Sequence, residues 1–110
     1  MQISIDSRQQ DDRTVVEVSG EVDVSTADAL DAKLTELTDA GATDLVVDLS
    51  KVEFLDSTGL GVLVKTLKHV REHDGSLAVV ASSERIAKVF RITGLDSAMP
   101  LSATVDEALS

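Results

Sequence analysis

Residues 54–62 read FLDSTGLGV, a stretch that joins two segments of different periodicity. Before it, residues 45–47 form an apolar run typical of a buried strand, which we expect over residues 44–49. After it, apolar residues recur at helical spacing, at Leu60, Leu63, Val64, Leu67 and Val70. The stretch is therefore predicted to be a strand-to-helix turn, with a helix that starts near Ser57 and stops near residues 74–75.

The same alternation of strand and helix patterns extends to both sides. Residues 2–6 and 14–18 predict two strands joined by a polar turn, the second of them ending at Gly20. A helix capped by Ser25 or Thr26 and a strand at 77–81 are also expected. A third helix should follow residues 82–83 and end at Gly94. A short strand and a helical turn, around residues 105–109, are only weakly indicated.

This order predicts one α/β domain over residues 1–110. Alternating strands and helices imply right-handed crossovers, and hence a mixed, mostly parallel β-sheet with an opening antiparallel hairpin and about four α-helices. No repeat, low-complexity tract or linker interrupts the pattern.

Composition narrows the range of partners. The net charge is −10, and the aromatic residues are two phenylalanines, with no Trp or Tyr. Such a chain is repelled by phosphate backbones and lacks base-stacking platforms, so we expect no nucleic-acid and no membrane partner.

Cysteine is absent, no apolar run is long enough to span a bilayer, and the first residues lack a signal-peptide pattern. We therefore expect a cytoplasmic domain.

The charge is unevenly distributed. Up to Asp56 there are fourteen acids and four bases, whereas six of each follow from Ser57 onward. The bases recur at helical spacing, as Lys65, Lys68 and Arg71, and as Arg85, Lys88 and Arg91. They are interpreted as solvated helix faces, or alternatively as part of a polarised surface that orients a protein partner.

The turn itself combines a capping sequence with two glycines. Asp56, Ser57 and Thr58 are all residue types that cap helices, so we expect an exposed, helix-capping hydroxyl here. Gly59 and Gly61 fall in the first helical turns, where each costs about 0.5–1 kcal/mol relative to alanine. The tolerated cost predicts a surface that a partner's backbone or a phosphate approaches closely.

Here the sequence resembles a known family. Residues 54–62 are similar to the signature of the STAS domain, in particular of the bacterial anti-sigma factor antagonists. Residues 20–23, GEVD, match a second motif of that family, and residues 45–49 and 92–95 match further segments. The resemblance covers nearly the whole chain and agrees with its length and element order.

The resemblance implies a partner-switching function at Ser57. In that family the hydroxyl after the motif aspartate is phosphorylated by an anti-sigma factor serine kinase, which ends binding, and a metal-dependent serine phosphatase restores it. By position the acceptor is Ser57, and the partner-binding residues are expected to be Asp23, Asp56, Ser57, Thr58, Gly59 and Gly61. The unphosphorylated form is expected to bind the anti-sigma factor and release a sigma factor. A monomer suits such competition, and no cofactor or enzymatic activity is implied.

Two other functions remain open at this point. The chain could be a STAS adaptor that is not phosphorylated and serves a transporter or signalling assembly. It could also be an enzyme for small-molecule phosphotransfer or hydrolysis. The first alternative predicts partner binding without phosphoryl transfer, and the second predicts turnover without a protein partner.

Other motifs carry less weight. Residues 69–73 match the zinc-peptidase pattern H-x-x-E-H, but no third ligand is evident, so solvated histidines and no metal site are predicted. Asp48 is placed like a receiver phospho-acceptor, yet the companion acidic pair and late lysine are missing, and we interpret it as a strand-end cap or solvated acid. No catalytic triad, dinucleotide fingerprint or phosphate-binding loop is present.

Overall fold

The centre of the fold is a sheet in which the strands lie side by side in chain order. The computed structural model describes residues 2–110. The strands are β1 (Ile3–Gln10), β2 (Arg13–Val22), β3 (Asp44–Leu55), β4 (Ser76–Val80) and β5 (Leu101–Ser102). β1 and β2 pair antiparallel, whereas β2, β3, β4 and β5 pair parallel. The predicted mixed sheet with an opening hairpin is confirmed.

The helices lie on the two faces of this sheet. Within residues 2–110 they are α1 (Ala27–Asp39), α2 (Ser57–Arg71), α3 (Glu84–Ile92) and α4 (Val105–Leu109), with a 3₁₀ turn at Leu95–Ser97. Each parallel crossover steps to the next strand in the same direction. Right-handed crossovers of that kind place α1, α2 and α3 on one face, and α4 covers part of the other. The buried clusters agree with this arrangement.

The core lies between the sheet and the three crossover helices. Leu30 and Leu34 of α1, Leu63 of α2 and Phe90 of α3 are completely buried against inward-facing valines and leucines of β2, β3 and β4. A smaller cluster on the opposite face joins Val15, Val46 and Val80 to α4. The apolar helical stripes seen in the sequence are thus the faces that pack on the sheet. No helix in the described part of the chain is long and apolar enough to cross a membrane.

The opening hairpin is longer than the sequence predicts. β1 continues to Gln10 and β2 continues through Gly20 to Val22, so the connection shrinks to Asp11 and Asp12. Asp11 takes the left-handed conformation, with φ at 57°, which aspartate tolerates better than most residues. Gly20 does not end the strand because its positive φ accommodates an irregular register within it.

β3 also runs past its expected end at Leu49 and reaches Leu55. Its register against β2 shifts twice, and each shift places one extra residue in β3. These bulges turn Leu49, Val52 and Leu55 all toward the core, although they are three residues apart. The prediction that Asp48 lies at a strand end is therefore wrong. Asp48 lies inside β3 and accepts hydrogen bonds from the Ser50 N–H (2.9 Å) and hydroxyl (2.5 Å).

Candidate functional site

The predicted site lies where β2 and β3 end and α2 begins. The N–H of Asp56 donates to the carbonyl oxygen of Val22 at 3.2 Å, which continues the pairing of the two strands beyond Leu55. Because parallel strands end at the same edge of a sheet, this bond brings the segment that starts at Asp23 beside the first turn of α2. The two family motifs, residues 20–23 and 54–62, are thereby neighbours.

Asp56, and not Ser57, caps α2. The Asp56 backbone is extended, and its Oδ1 accepts hydrogen bonds from the N–H groups of Thr58 (3.0 Å) and Gly59 (3.3 Å). Ser57 is the first residue of the helix, so the expectation of a capping Ser57 hydroxyl is wrong. The side chain of Ser57 is exposed at the positive end of the helix dipole.

The two adjacent hydroxyls differ in what they contact. The Thr58 hydroxyl donates to Oδ1 of Asp56, the same atom that caps the helix. Among the described residues, nothing forms a hydrogen bond with the Ser57 hydroxyl. Ser57 can therefore take part in chemistry without breaking a bond of the fold, whereas Thr58 cannot.

Asp23 organises the loop between β2 and α1. Its Oδ1 accepts from the Ser25 N–H (2.9 Å), the Ser25 hydroxyl (2.6 Å) and the Thr26 N–H (3.2 Å). Thr26 holds the loop from the other side, since its hydroxyl accepts from the Asp23 N–H at 2.9 Å and donates to the Glu21 carbonyl at 2.7 Å. Asp23 is only 7% exposed. Thr26 occupies the predicted N-cap position of α1, but its side chain makes no capping hydrogen bond, and Ser25 and Thr26 instead fix Asp23.

Hydrogen bonding keeps both carboxylates of the site ionised. The Ser25 hydroxyl lowers the pKa of Asp23, as do the amides of the loop, although burial opposes this. The Thr58 hydroxyl and the first amides of α2 lower the pKa of Asp56. The nearby charge of Asp23 opposes this lowering of the Asp56 pKa. The site therefore presents two fixed negative charges beside a free hydroxyl.

The two glycines occupy different environments. Gly59 is buried, and a Cβ on it would lie 2.5 Å from Cγ1 of Val22 and 2.6 Å from Cδ1 of Leu55. Its lack of a side chain is therefore required by packing within the chain, which corrects the inference that its cost indicates an approached surface. Gly61 is exposed with open space around it, so close approach by a partner remains a prediction there.

One sequence signal for this geometry was missed. Asp23, Asp48 and Asp56 are each followed two residues later by a serine or threonine that gives both its N–H and its hydroxyl to the aspartate. This is the local hydrogen-bonding pattern of an Asx turn. The spacing D-x-[ST] marks all three turns, two of which form the site, but it also occurs at residues 12–14 and 74–76, where the hydroxyls of Thr14 and Ser76 bond to Gln9 and Asp44 instead.

The histidines lie elsewhere. His69 and His73 are exposed near the end of α2, and Nδ1 of His73 lies 3.0 Å from the carbonyl oxygen of His69. Among residues 2–110, no group of three or more His, Cys, Asp or Glu side chains is placed to hold a metal ion. The H-x-x-E-H pattern therefore does not assemble a zinc site in the described chain.

Comparisons with known proteins agree with this geometry. The model of the STAS domain family matches residues 4–108. The anti-sigma-B factor antagonist of Bacillus subtilis is 43% identical over 103 residues, covering 94% of both chains. That of Staphylococcus aureus is 40% identical over 99 residues, covering 90% of this chain and 92% of the relative.

A solved structure leads to the same assignment. The crystal structure of an anti-sigma factor antagonist from Mycobacterium paratuberculosis superposes with a TM-score of 0.91 at 38% identity, covering 98% of this chain and 92% of that chain. The chain belongs to the STAS domain family, in its branch of anti-sigma factor antagonists.

Proposed function

We propose that this chain is a phosphorylation-controlled anti-sigma factor antagonist. Its unphosphorylated form binds an anti-sigma factor in the cytoplasm as a monomer, and this frees a sigma factor. The anti-sigma factor is itself a serine kinase that phosphorylates Ser57 and so ends the complex. A separate metal-dependent serine phosphatase reverses the modification. The chain is a binding partner and a substrate in this cycle, and it contributes no catalysis of its own.

The free hydroxyl of Ser57 carries the proposal. It is exposed and unbonded within the described chain, while the neighbouring Thr58 hydroxyl is held by Asp56. In the transfer, Oγ of Ser57 forms a bond to the γ-phosphorus of ATP and the bond to the β–γ bridging oxygen breaks. ADP leaves, and the hydroxyl proton passes to a base of the kinase. The transfer requires none of the hydrogen bonds that Asp23 and Asp56 accept to break.

The charges of the site support the consequence for binding. A phosphate adds about −1.5 to −2 charges next to Asp56 and near Asp23, both of which are held ionised. Like charges brought together at a contact surface cost several kcal/mol when a partner covers them. Phosphorylation is therefore expected to prevent binding while leaving the fold intact.

An intact-mass measurement tests the proposal. The chain is incubated with the anti-sigma factor kinase of its own organism and ATP, and a gain of about 80 Da reports one phosphoryl group. Ser57→Ala should abolish the gain, and the matched control Thr58→Val should retain it. Transfer that persists in Ser57→Ala would show that a residue other than Ser57 is phosphorylated. Binding without transfer would favour the non-phosphorylated adaptor, and turnover without a partner would favour an enzyme.

A further inference from the structure

Two exposed apolar residues, Phe54 and Val24, lie at the edges of the two family motifs in the chain. Phe54 is 44% exposed and Val24 is 77% exposed, and with Ile92 they are the exposed large hydrophobic residues of the described chain. The chain has only two aromatic residues, and the other, Phe90, is completely buried. One of its two largest apolar groups is thus kept at the surface.

Both residues are tied to Ser57 by the backbone. Phe54 lies on β3 opposite Glu21 of β2, three positions before Ser57. Val24 follows Asp23 directly, in the loop that the Val22–Asp56 hydrogen bond holds beside α2. The apolar residues therefore stand on the two strand ends that form the site.

The surroundings of these two residues are acidic. Residues 20–28 and 53–61 contain five acids, Glu21, Asp23, Asp28, Glu53 and Asp56, and no base. Glu53 and Asp28 are exposed, while Glu21 and Asp56 are half-buried. Apolar residues bordered along the chain by these acids, the acidic rim, complement a partner that has an apolar pocket within a basic surface.

We propose that Phe54 and Val24 are the apolar anchors of this chain on its anti-sigma factor, inserted into an apolar pocket that basic residues of that partner surround. The inference rests on the proposed function and adds residues outside the motif around Ser57. Large side chains that a partner buries completely dominate binding energy, whereas charged residues at the rim mainly affect the rate of association and the choice of partner. Phe54 and Val24 thus set how long the complex lasts, and the acidic rim sets how fast it forms.

Ile92 provides a matched control. It is 73% exposed, similar to Val24 at 77%, but it is the last residue of α3. The segment that follows α3 contacts the far end of α2, where Arg71 donates to the carbonyl oxygen of Ala98 at 3.2 Å. α2 starts at Ser57 and spans roughly 22 Å, so Ile92 belongs to a region remote from the site.

Binding kinetics to the anti-sigma factor kinase test the inference, with the wild-type chain, Phe54→Ala, Val24→Ser, Ile92→Ser and Ser57→Glu compared. Phe54→Ala should raise Kd by roughly tenfold or more and Val24→Ser by about fivefold, mostly through faster dissociation, with Ile92→Ser within about twofold of wild type. Higher salt should slow association of wild type and Phe54→Ala alike. Melting curves establish that each variant is folded.

The outcomes separate the two proposals. Wild-type affinity in both Phe54→Ala and Val24→Ser, together with loss of binding in Ser57→Glu, would overturn the anchors and leave the proposed function standing. An equal loss in Ile92→Ser would also overturn them, because a general effect of surface polarity would then explain the result. Failure of the wild-type chain to bind any anti-sigma factor of its organism would overturn the proposed function and the anchors with it.

Discussion

The N–H of Asp56 donates to the carbonyl oxygen of Val22 at 3.2 Å, and this bond makes one site of two separate motifs. The donor, Asp56, caps α2. The acceptor, Val22, directly precedes Asp23, whose side chain organises the loop before α1. The position of Ser57 is therefore fixed by the ends of β2 and β3, the central strands of the sheet. A rigid frame of this kind presents an exposed hydroxyl in one orientation to a partner.

Replacing Ser57 by glutamate should leave the fold intact and weaken partner binding. The new carboxylate lies at the N-terminus of α2, where a negative charge gains about 0.3–1 kcal/mol, so the Tm should stay within a few degrees of wild type. The same charge beside Asp56 and Asp23 should lower affinity for the anti-sigma factor at least about tenfold. Thermal melts check the Tm, and titration calorimetry checks the affinity. Loss of the fold would show that Ser57 is structural.

Alanine at the two glycines of α2 should have opposite effects on stability. In Gly59→Ala the new Cβ would overlap Val22 and Leu55, and overpacking of this kind costs about 1–3 kcal/mol. In Gly61→Ala the Cβ meets open space, and the gain in helix propensity should stabilise the chain by about 0.5–1 kcal/mol. Urea denaturation measures both, and equal effects at the two positions would contradict this packing.

Gly61→Ala also tests the predicted approach of a partner. The variant should be more stable than wild type but should bind the anti-sigma factor less tightly if a backbone passes close to this turn. Unchanged affinity would remove Gly61 from the docking surface without affecting the assignment of Ser57.

Removal of the Thr26 hydroxyl should destabilise the loop that holds Asp23. Thr26→Val leaves the Asp23 N–H and the Glu21 carbonyl without their partner, and a buried group left unpaired costs about 1–3 kcal/mol. Thr26→Ser keeps the hydroxyl and should recover most of the loss. Chemical denaturation of the pair measures the difference, and equal stability of the two variants would show that the hydrogen bonds contribute little.

Acid should weaken the fold partly through Asp23 and Asp56. Both have a pKa below the ordinary value of 3.8, so their ionised forms stabilise the native state above that pH. The contribution is lost as pH falls through 3.8 toward the lower folded values. The double variant Asp23→Asn, Asp56→Asn should therefore lose less Tm than wild type between about pH 5 and about pH 3. If the Tm of the double variant and that of wild type fall equally with pH, other carboxylates cause the acid sensitivity.

The fold was largely predictable because most elements follow simple periods. The α2 stripe packs where a 3.6-residue repeat places it, and Leu45 and Val47 of β3 face the core at strand spacing. The second half of β3 escaped prediction because two bulges put its buried residues three apart, a spacing that fits neither a regular strand nor a loop. That half is held in place by pairing with β2. Such pairing joins residues far apart in the chain, so a local sequence pattern does not reveal it.

The sequence brings the residues of the candidate site to attention, but it does not distinguish their structural environments. The family resemblance favours Ser57 over Thr58 by position, and the bond from Thr58 to Asp56 adds a physical difference that local sequence does not contain. Gly59 and Gly61 likewise carry the same propensity cost, yet one is packed against Val22 and the other faces open space. Such distinctions depend on contacts between residues far apart in the chain, which a local pattern does not contain.

The unbonded Ser57 hydroxyl has a consequence for how such a protein can change over evolutionary time. Since Ser57 is exposed and its hydroxyl makes no hydrogen bond among residues 2–110, a substitution there can change the regulatory response without compensating changes in the core. Duplicated copies could then diverge in partner preference through a few surface residues while inheriting one unaltered scaffold. At Ser57, unlike at Asp23, Asp56 and Gly59, stability and signalling can therefore change separately.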